Sequence, residues 1–269
     1  MSGDSRVVVI TGGTKGIGLA MAEAFLQRGC RVALCGRDER SVRDVVDELG
    51  RRHEASRVVG AACDVSRTED HQKLFSCAKQ AFGKVDVWIN NAGTSSPQVP
   101  FLAQSPEVVK SVVETNLLGT MLGSHVALTE MRAQGFGALY NMEGFGSDGA
   151  KQPGMTSYGS SKVGVRYFTR ALAKELAASP LLVCTLSPGV VLTDLLIDVY
   201  EKGDPENYRK AEWLFRFIAD PADVVGPWLA DAVLANRKTD VRLAWMTVPK
   251  AVLRFFQPKF HARKVFPPR

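Results

Sequence analysis

Val7-Val8-Val9-Ile10-Thr11-Gly12-Gly13-Thr14-Lys15-Gly16-Ile17-Gly18 decides the fold. Four apolar residues in a row, with no polar alternation, read as a strand buried on both faces inside a parallel sheet. The glycines then punctuate a turn. A helical pattern takes over at 17–27 and closes at Gly29. Strand, Gly-rich turn and helix in that order make a phosphate cradle. Gly12 permits the tight turn, Gly16 lets the backbone approach a pyrophosphate, and Gly18 lets helix and strand pack closely. The anion meets unpaired N–H groups and the positive end of the helix dipole.

The same alternation continues to the far end of the chain. Strands are expected at 31–35, 58–63, 85–89, 138–142 and 181–186, with a last one at 241–247. Helices are expected at 39–49, 68–82, 105–134 (one long helix or two in sequence) and 157–178. Thr68 reads as an N-cap and Gly83 as a stop. Strands alternating with helices imply an α/β fold, a doubly wound parallel sheet of Rossmann type with helices on both faces, as one domain over 1–269. Residues 195–220 follow the sixth strand, at the carboxyl edge where such sheets bind ligands. They carry Gly203 and Pro205, then an amphipathic stretch with Trp213, Phe215 and Phe217. A substrate lid is expected there, with a plain surface helical hairpin as the alternative.

Composition narrows the class. At 45% hydrophobic and 23% charged residues, the chain reads as an ordinary soluble domain. No apolar run reaches membrane-spanning length, and the N-terminus carries no signal or transit pattern, so a cytoplasmic location is expected. The five cysteines are odd in number and form no C-x-x-C pair; the four histidines are scattered. Buried thiols are expected, with no disulfide framework and no metal site. The net charge is +6, but no reader motif accompanies it, so nucleic acid is not an expected partner. The charge gathers at the end. From 241 onward there is no Asp or Glu, and 249–269 form a basic tail with Phe255, Phe256, Phe260 and Phe266 interleaved. Such a tail either makes a peripheral contact with an anionic membrane or packs its aromatics on the domain or a sister subunit.

Tyr158-Gly-Ser-Ser-Lys162 adds the chemistry. At i and i+4 the two side chains share one helix face. A free tyrosine has a pKa of about 10, too weak an acid for neutral pH. A nearby ammonium favours the phenolate and is expected to lower that value. A dinucleotide site beside such a pair means hydride transfer to or from a carbonyl, with Tyr158 giving the proton to oxygen as hydride reaches carbon. The end of the second strand reads Cys35-Gly36-Arg37-Asp38. An NAD site wants a carboxylate here for the ribose 2′-hydroxyl, whereas Arg37 can fork onto a 2′-phosphate with Lys15 as a second cation. Asp38 comes after the arginine and reads as the N-cap of the next helix. NADPH/NADP+ is therefore the expected cofactor.

The order Thr11-Gly12-x-x-x-Gly16-x-Gly18, Asp64-Val65, Asn90-Asn91-Ala92-Gly93, Asn116, Tyr158-x-x-x-Lys162 and Pro188-Gly189-x-Val191-x-Thr193 resembles the short-chain dehydrogenase/reductase family, over residues 6 to about 193. The resemblance implies that Asp64 and Val65 hold the adenine, and that Asn91, Ala92 and Gly93, with Thr14 and Ile17 of the first turn, line the cofactor. It implies that Pro188, Gly189, Val191 and Thr193 meet the nicotinamide end, and that Lys162 holds the nicotinamide ribose. Asn116 would support a water that relays protons to Lys162. A homodimer or homotetramer through the helices of Asn116 and Tyr158 also follows from it.

There is one departure. The family's serine, about a dozen residues before the tyrosine, is missing from Asn141-Met142-Glu143-Gly144-Phe145-Gly146-Ser147-Asp148-Gly149, where Glu143-Gly144 stands in place of a Ser-Ser pair. Ser147, or a backbone N–H near Gly144, is left to polarise the carbonyl. This string resembles the corresponding loop of chlorophyll b reductases, a subgroup of the family. So do 86–93, 187–196 and 219–225. Those enzymes reduce the formyl group of chlorophyll b to hydroxymethyl with NADPH. The resemblance implies a hydrophobic carbonyl substrate, bulky like the tetrapyrrole. The alternatives are a general ketone/alcohol oxidoreductase (steroid, 3-oxoacyl or xenobiotic) and an NADPH-bound scaffold without turnover.

Overall fold

The computed structural model describes residues 5–194, 196 and 205–265. Its strands are β1 (Val7–Ile10), β2 (Arg31–Gly36), β3 (Val58–Ala62), β4 (Val87–Asn90), β5 (Gly137–Met142), β6 (Leu181–Ser187), β7 (Val190–Leu192), β8 (Ala219–Pro221) and β9 (Arg242–Ala244). The helices are α1 (Gly16–Gln27), α2 (Glu39–His53), α3 (Thr68–Phe82), α4 (Pro106–Val113), α5 (Gly119–Gln134), α6 (Thr156–Glu175), α7 (Pro205–Ile218), α8 (Ala222–Ala235) and α9 (Val248–Phe255).

Seven strands form one sheet in the order β3-β2-β1-β4-β5-β6-β9, and every pairing is parallel. The chain winds outward from β1 to β3, returns to β4, and winds the other way. The carboxyl ends of β1 and β4 therefore flank the switch point, where such sheets open a crevice. β1 and β4 are buried at every position, which explains their unbroken apolar runs. One face packs on α1, α2 and α8 through Phe25, Leu49 and Leu229. The other packs on α3, α5 and α6 through Phe75, Met131 and Ala173.

Local chemistry moves several boundaries. The 105–134 helix begins as its sequence suggests, with the Ser105 hydroxyl accepting from Val108 N–H and Pro106 in the first turn. It is broken by a π-helical turn at Glu114–Leu118. Thr68 is not an N-cap: Arg67 takes that position without a side-chain bond, and Glu69 and Asp70 supply the negative first turn instead. β4 begins two residues late because Asp86 turns its carboxylate to accept from Val7 N–H at 2.7 Å. β9 stops at Ala244; just beyond it Trp245 donates its backbone N–H to the Ser187 carbonyl at 2.9 Å and its indole N–H to Asp220 at 2.7 Å. Cys30, Cys35, Cys63 and Cys184 are buried thiols, and Cys77 is half-buried.

A two-stranded ribbon, β7 with β8, was not legible in the sequence; it ties Val190–Leu192 to the end of the expected lid. Of that lid, 195 and 197–204 lie outside the described residues. The basic tail packs back on α7. Phe255 meets Phe217 at 5.2 Å and Trp213 at 6.2 Å between ring centroids. α9 is built inside out. Its buried residue is Arg254, paired with Asp220 at 2.7 Å, while Val248, Val252 and Leu253 face outward, with Phe256 just beyond.

Candidate active site

The first turn is shaped by its lack of side chains. Gly12 and Gly16 have φ of 64° and 56°, in the left-handed region that disfavours a Cβ. A Cβ at Gly18 would overlap the Gly12 carbonyl and come within 2.6 Å of Asn91 Nδ2. A Cβ at Gly12 would lie 2.9 Å from Ala92 Cα, and one at Gly16 3.2 Å from Thr193 Cγ2. The turn thus packs directly against the ends of β4 and of the β6–β7 segment. Asn91 Nδ2 donates to the Thr11 and Gly12 carbonyls at 2.9 and 3.0 Å, and Thr11 Oγ1 accepts from the Asn91 and Ala92 N–H groups. Thr11 was not foreseen as a site residue; it locks the two loops together. The N-terminus of α1 has no side-chain cap and no acidic residue in its first turn, so its N–H groups stay open to an anion. Ile17 and the buried Val191 brace this edge from the core. Pro188, which is buried, and Gly189, which is exposed with φ of 73°, turn the chain out of β6.

At the end of β2, Thr14 packs against Gly36, where a Cβ would lie 2.9 Å from Thr14 Cγ2. Lys15 and Arg37 are exposed, and neither side chain makes a hydrogen bond or ion pair with the described residues. Asp38 is committed elsewhere: it caps α2, accepting from Ser41 N–H and hydroxyl at 2.8 and 2.6 Å. The Asp64 carboxyl is held below its usual range by the Ser66 N–H and hydroxyl, with Arg37 adding to the effect. Val65, next to it, is buried against Gly119. These residues fit a nicotinamide dinucleotide, with an open helix end for its pyrophosphate and two unpaired cations at the end of β2.

The reacting groups converge from α6, β5 and the π-helical turn. Lys162 Nζ lies 5.9 Å from the centre of the Tyr158 ring and donates to the Met142 carbonyl at 3.2 Å. Burial pulls Lys162 down to about 8, while Glu143 pushes back. The expected lowering of Tyr158 is not what the protein alone produces: burial of its hydroxyl pushes it up to about 12. Asn116 is buried and clamps Thr94, accepting from its N–H at 2.8 Å and donating to its carbonyl at 2.9 Å. It also donates to Ser161 Oγ at 3.0 Å. A Cβ at Gly93 would sit 3.3 Å from Asn116 Oδ1 and 3.7 Å from Lys162 Nζ, so Gly93 lies between the two. The Asn116 side chain therefore fixes the loop beside Lys162.

In the 143–149 loop the two candidate donors occupy one another. Ser147 Oγ accepts from Gly144 N–H at 3.1 Å and donates to the Lys162 carbonyl at 3.3 Å. The Tyr158 hydroxyl rests directly on Gly144, where any Cβ would overlap it.

The family model for short chain dehydrogenases matches residues 6–204. This chain belongs to that family. Among curated relatives, chlorophyll(ide) b reductase NOL of Oryza sativa subsp. japonica, chloroplastic, is 35% identical over 85% of this chain and 66% of its own. The probable chlorophyll(ide) b reductase NYC1 of the same plant, also chloroplastic, is 34% identical over 92% of this chain and 51% of its own. The chain thus spans about half to two thirds of the length of these relatives. A crystal structure of an actinorhodin polyketide ketoreductase variant with NADPH is 29% identical, with a TM-score of 0.78 over 90% of this chain and 96% of that one. In this short-chain dehydrogenase the polar layer beneath the site had no signal of its own in the sequence. Asn90 Nδ2 donates to Asn141 Oδ1 at 2.8 Å, and Asn141 Nδ2 to Thr169 Oγ1 at 2.9 Å, joining β4, β5 and α6 beneath the reacting residues.

Proposed function

We propose that this short-chain dehydrogenase reduces the carbonyl of a bulky hydrophobic substrate with NADPH, the formyl group of chlorophyll(ide) b being the leading candidate. The observation that carries the reading is the Tyr158 hydroxyl, seated on Gly144 beside Lys162 and protonated at neutral pH, with burial pushing it further up to about 12. A proton donor in a reduction must hold its proton until the oxygen calls for it. The bound dinucleotide supplies the hydride. Tyr158 hands its proton to the carbonyl oxygen, Lys162 holds the ribose, and Asn116 keeps the 93–94 loop in place for both. Lys15 and Arg37, whose side chains have no partner among the described residues, favour a 2′-phosphate over a bare ribose, with Asp38 withdrawn into a helix cap. The Glu143-Gly144 departure and the identity to chlorophyll(ide) b reductases favour the pigment; α7 is the lid candidate over it. Purified protein should consume NADPH faster than NADH with chlorophyllide b and yield the hydroxymethyl pigment. Turnover only of steroid, 3-oxoacyl or xenobiotic carbonyls would keep the reductase and discard the pigment. Tight NADPH binding with no turnover across such a panel would favour the scaffold.

The location we propose is the cytoplasm, and two surfaces suit further contacts there. Among the described residues no helix is long and apolar enough to cross a membrane. The inside-out α9, with Lys259 and Lys264 exposed nearby, suits the interface of an anionic lipid leaflet. Leu118, Met121, Val163 and Tyr167 lie exposed on the π-helical turn, α5 and α6, where they suit a homodimer or homotetramer. Sedimentation of the full chain, alone and with phosphatidylglycerol vesicles, tests both. A monomer removes the second contact, and equal pelleting with phosphatidylcholine or with Leu253→Ser/Phe256→Ser removes the first.

A further inference from the structure

Glu143 stands where the family carries the first residue of its serine pair, and its side chain is only 1% exposed. A buried carboxylate is costly unless paired, so its partners are informative. Its Oε2 lies 2.7 Å from Arg242 Nε on β9, and its Oε1 3.7 Å from Arg166 Nε, one turn beyond Lys162 on α6. Each arginine reaches onward. Arg242 donates to Ser187 Oγ at 2.7 Å, immediately before Pro188 and Gly189. Arg166 donates to the Ser147 carbonyl at 3.3 Å. Glu143 N–H itself donates to the Leu186 carbonyl at 2.7 Å. One side chain thus joins the helix of Tyr158 and Lys162, the segment leading to the nicotinamide-end turn, and the 144–149 loop.

We infer that Glu143 is a positioning residue for the reduction: it braces the Tyr158–Lys162 helix against the Ser187–Gly189 segment and sets a negative charge behind Lys162. The inference rests on the reductase reading for its kinetic consequence and not for its electrostatic one. Burial alone disfavours the Lys162 ammonium, and Glu143 is the charge that opposes it. The other charged or titratable groups around the pair are Tyr158 and Arg166 on α6, Arg242 on β9, the exposed Arg170–Asp240 pair at 4.0 Å, and the Cys184 thiol, which burial pushes up. Among these carboxylates, Asp240 is itself held by Arg170 near solvent, so Glu143 has no substitute.

Glu143→Gln keeps the shape and removes the charge. Arg242 and Arg166 are partly exposed and can turn to water, so the variant is expected to fold. Two readouts are followed in the full chain: steady-state reduction, and titration of the Lys162 side chain by carbon NMR of ¹³C-lysine protein, assigned by the signal lost in Lys162→Met. Expected are a Lys162 midpoint at lower pH than in the parent, and a kcat lower by roughly 10- to 100-fold, with KM for NADPH less affected and partial rescue by Glu143→Asp. An unmoved Lys162 midpoint, or a kcat within about twofold of the parent, overturns the inference. If Glu143→Gln proves insoluble, Arg242→Met serves in its place and is expected to lower kcat in the same way. The titration needs no turnover, so failure of the reductase reading (no Tyr158-dependent turnover in the parent) is distinguishable from failure here.

Discussion

Tyr158→Phe is expected to lower kcat for carbonyl reduction by roughly 10²- to 10⁴-fold, the range associated with loss of a positioned proton donor. NADPH affinity and melting temperature should stay close to the parent, because the hydroxyl makes no hydrogen bond among the described residues and the ring remains. The pH dependence separates Tyr158 from its neighbour. Burial holds the tyrosine up to about 12, so it keeps its proton across the whole working range. Lys162, pulled down to about 8, loses its charge first. Reduction by the parent should therefore decline as pH rises through about 8, and this alkaline limb belongs to the lysine. Initial rates from pH 6 to 10 check both points. A Tyr158→Phe enzyme retaining more than about a tenth of parental kcat would remove the tyrosine from the chemistry.

The depressed tyrosine pKa expected from the Tyr/Lys spacing illustrates what a sequence conveys and what it withholds. Spacing places Tyr158 and Lys162 on one helix face, and the helix duly presents both to the end of β5. It says nothing about how much water reaches them, and desolvation here works against both charged forms. Backbone demands were legible for the same reason that spacing was. Gly12, Gly16 and Gly18 report positive φ and close packing, properties of one residue type that needs no partner to be recognised. Asp38 was legible as a cap because its partner lies three residues away. Interactions that depend on long-range pairing were not legible. The β7–β8 ribbon, the Asn90–Asn141–Thr169 chain and the Arg254–Asp220 pair between α9 and β8 each join residues whose sequence neighbours carry no hint of the contact. The π-helical turn at Asn116 falls between these cases. Its sequence is compatible with a continuous helix, and the clamp of Asn116 on Thr94 accompanies the break.

Gly144→Ala should cost more activity than any change at Ser147, and the comparison decides what replaced the family's serine. A Cβ at Gly144 would overlap the Tyr158 hydroxyl and lie 3.2 Å from Lys162 Cε. The tyrosine ring is rigid, so the proton donor itself must move, and displacement of a reacting group by about 1 Å costs on the order of 10²-fold in rate. Stability should change less than activity, since the closest clash falls on the hydroxyl end of one side chain. Ser147→Ala acts differently. Its hydroxyl faces the Gly144 N–H and the Lys162 carbonyl, so its removal leaves a local backbone donor unpaired, at about 1–3 kcal/mol of stability. With Ser147 turned to the backbone, kcat/KM should fall by less than about tenfold, and Tyr158 is left to polarise the carbonyl alone. The reverse ranking, a loss of about 10²- to 10³-fold for Ser147→Ala against a mild effect of Gly144→Ala, would make Ser147 the carbonyl's hydrogen-bond donor. Its hydroxyl would then have to leave the backbone once substrate binds, and the positive φ of Gly146 and Gly149 on either side gives the loop the freedom to let it turn.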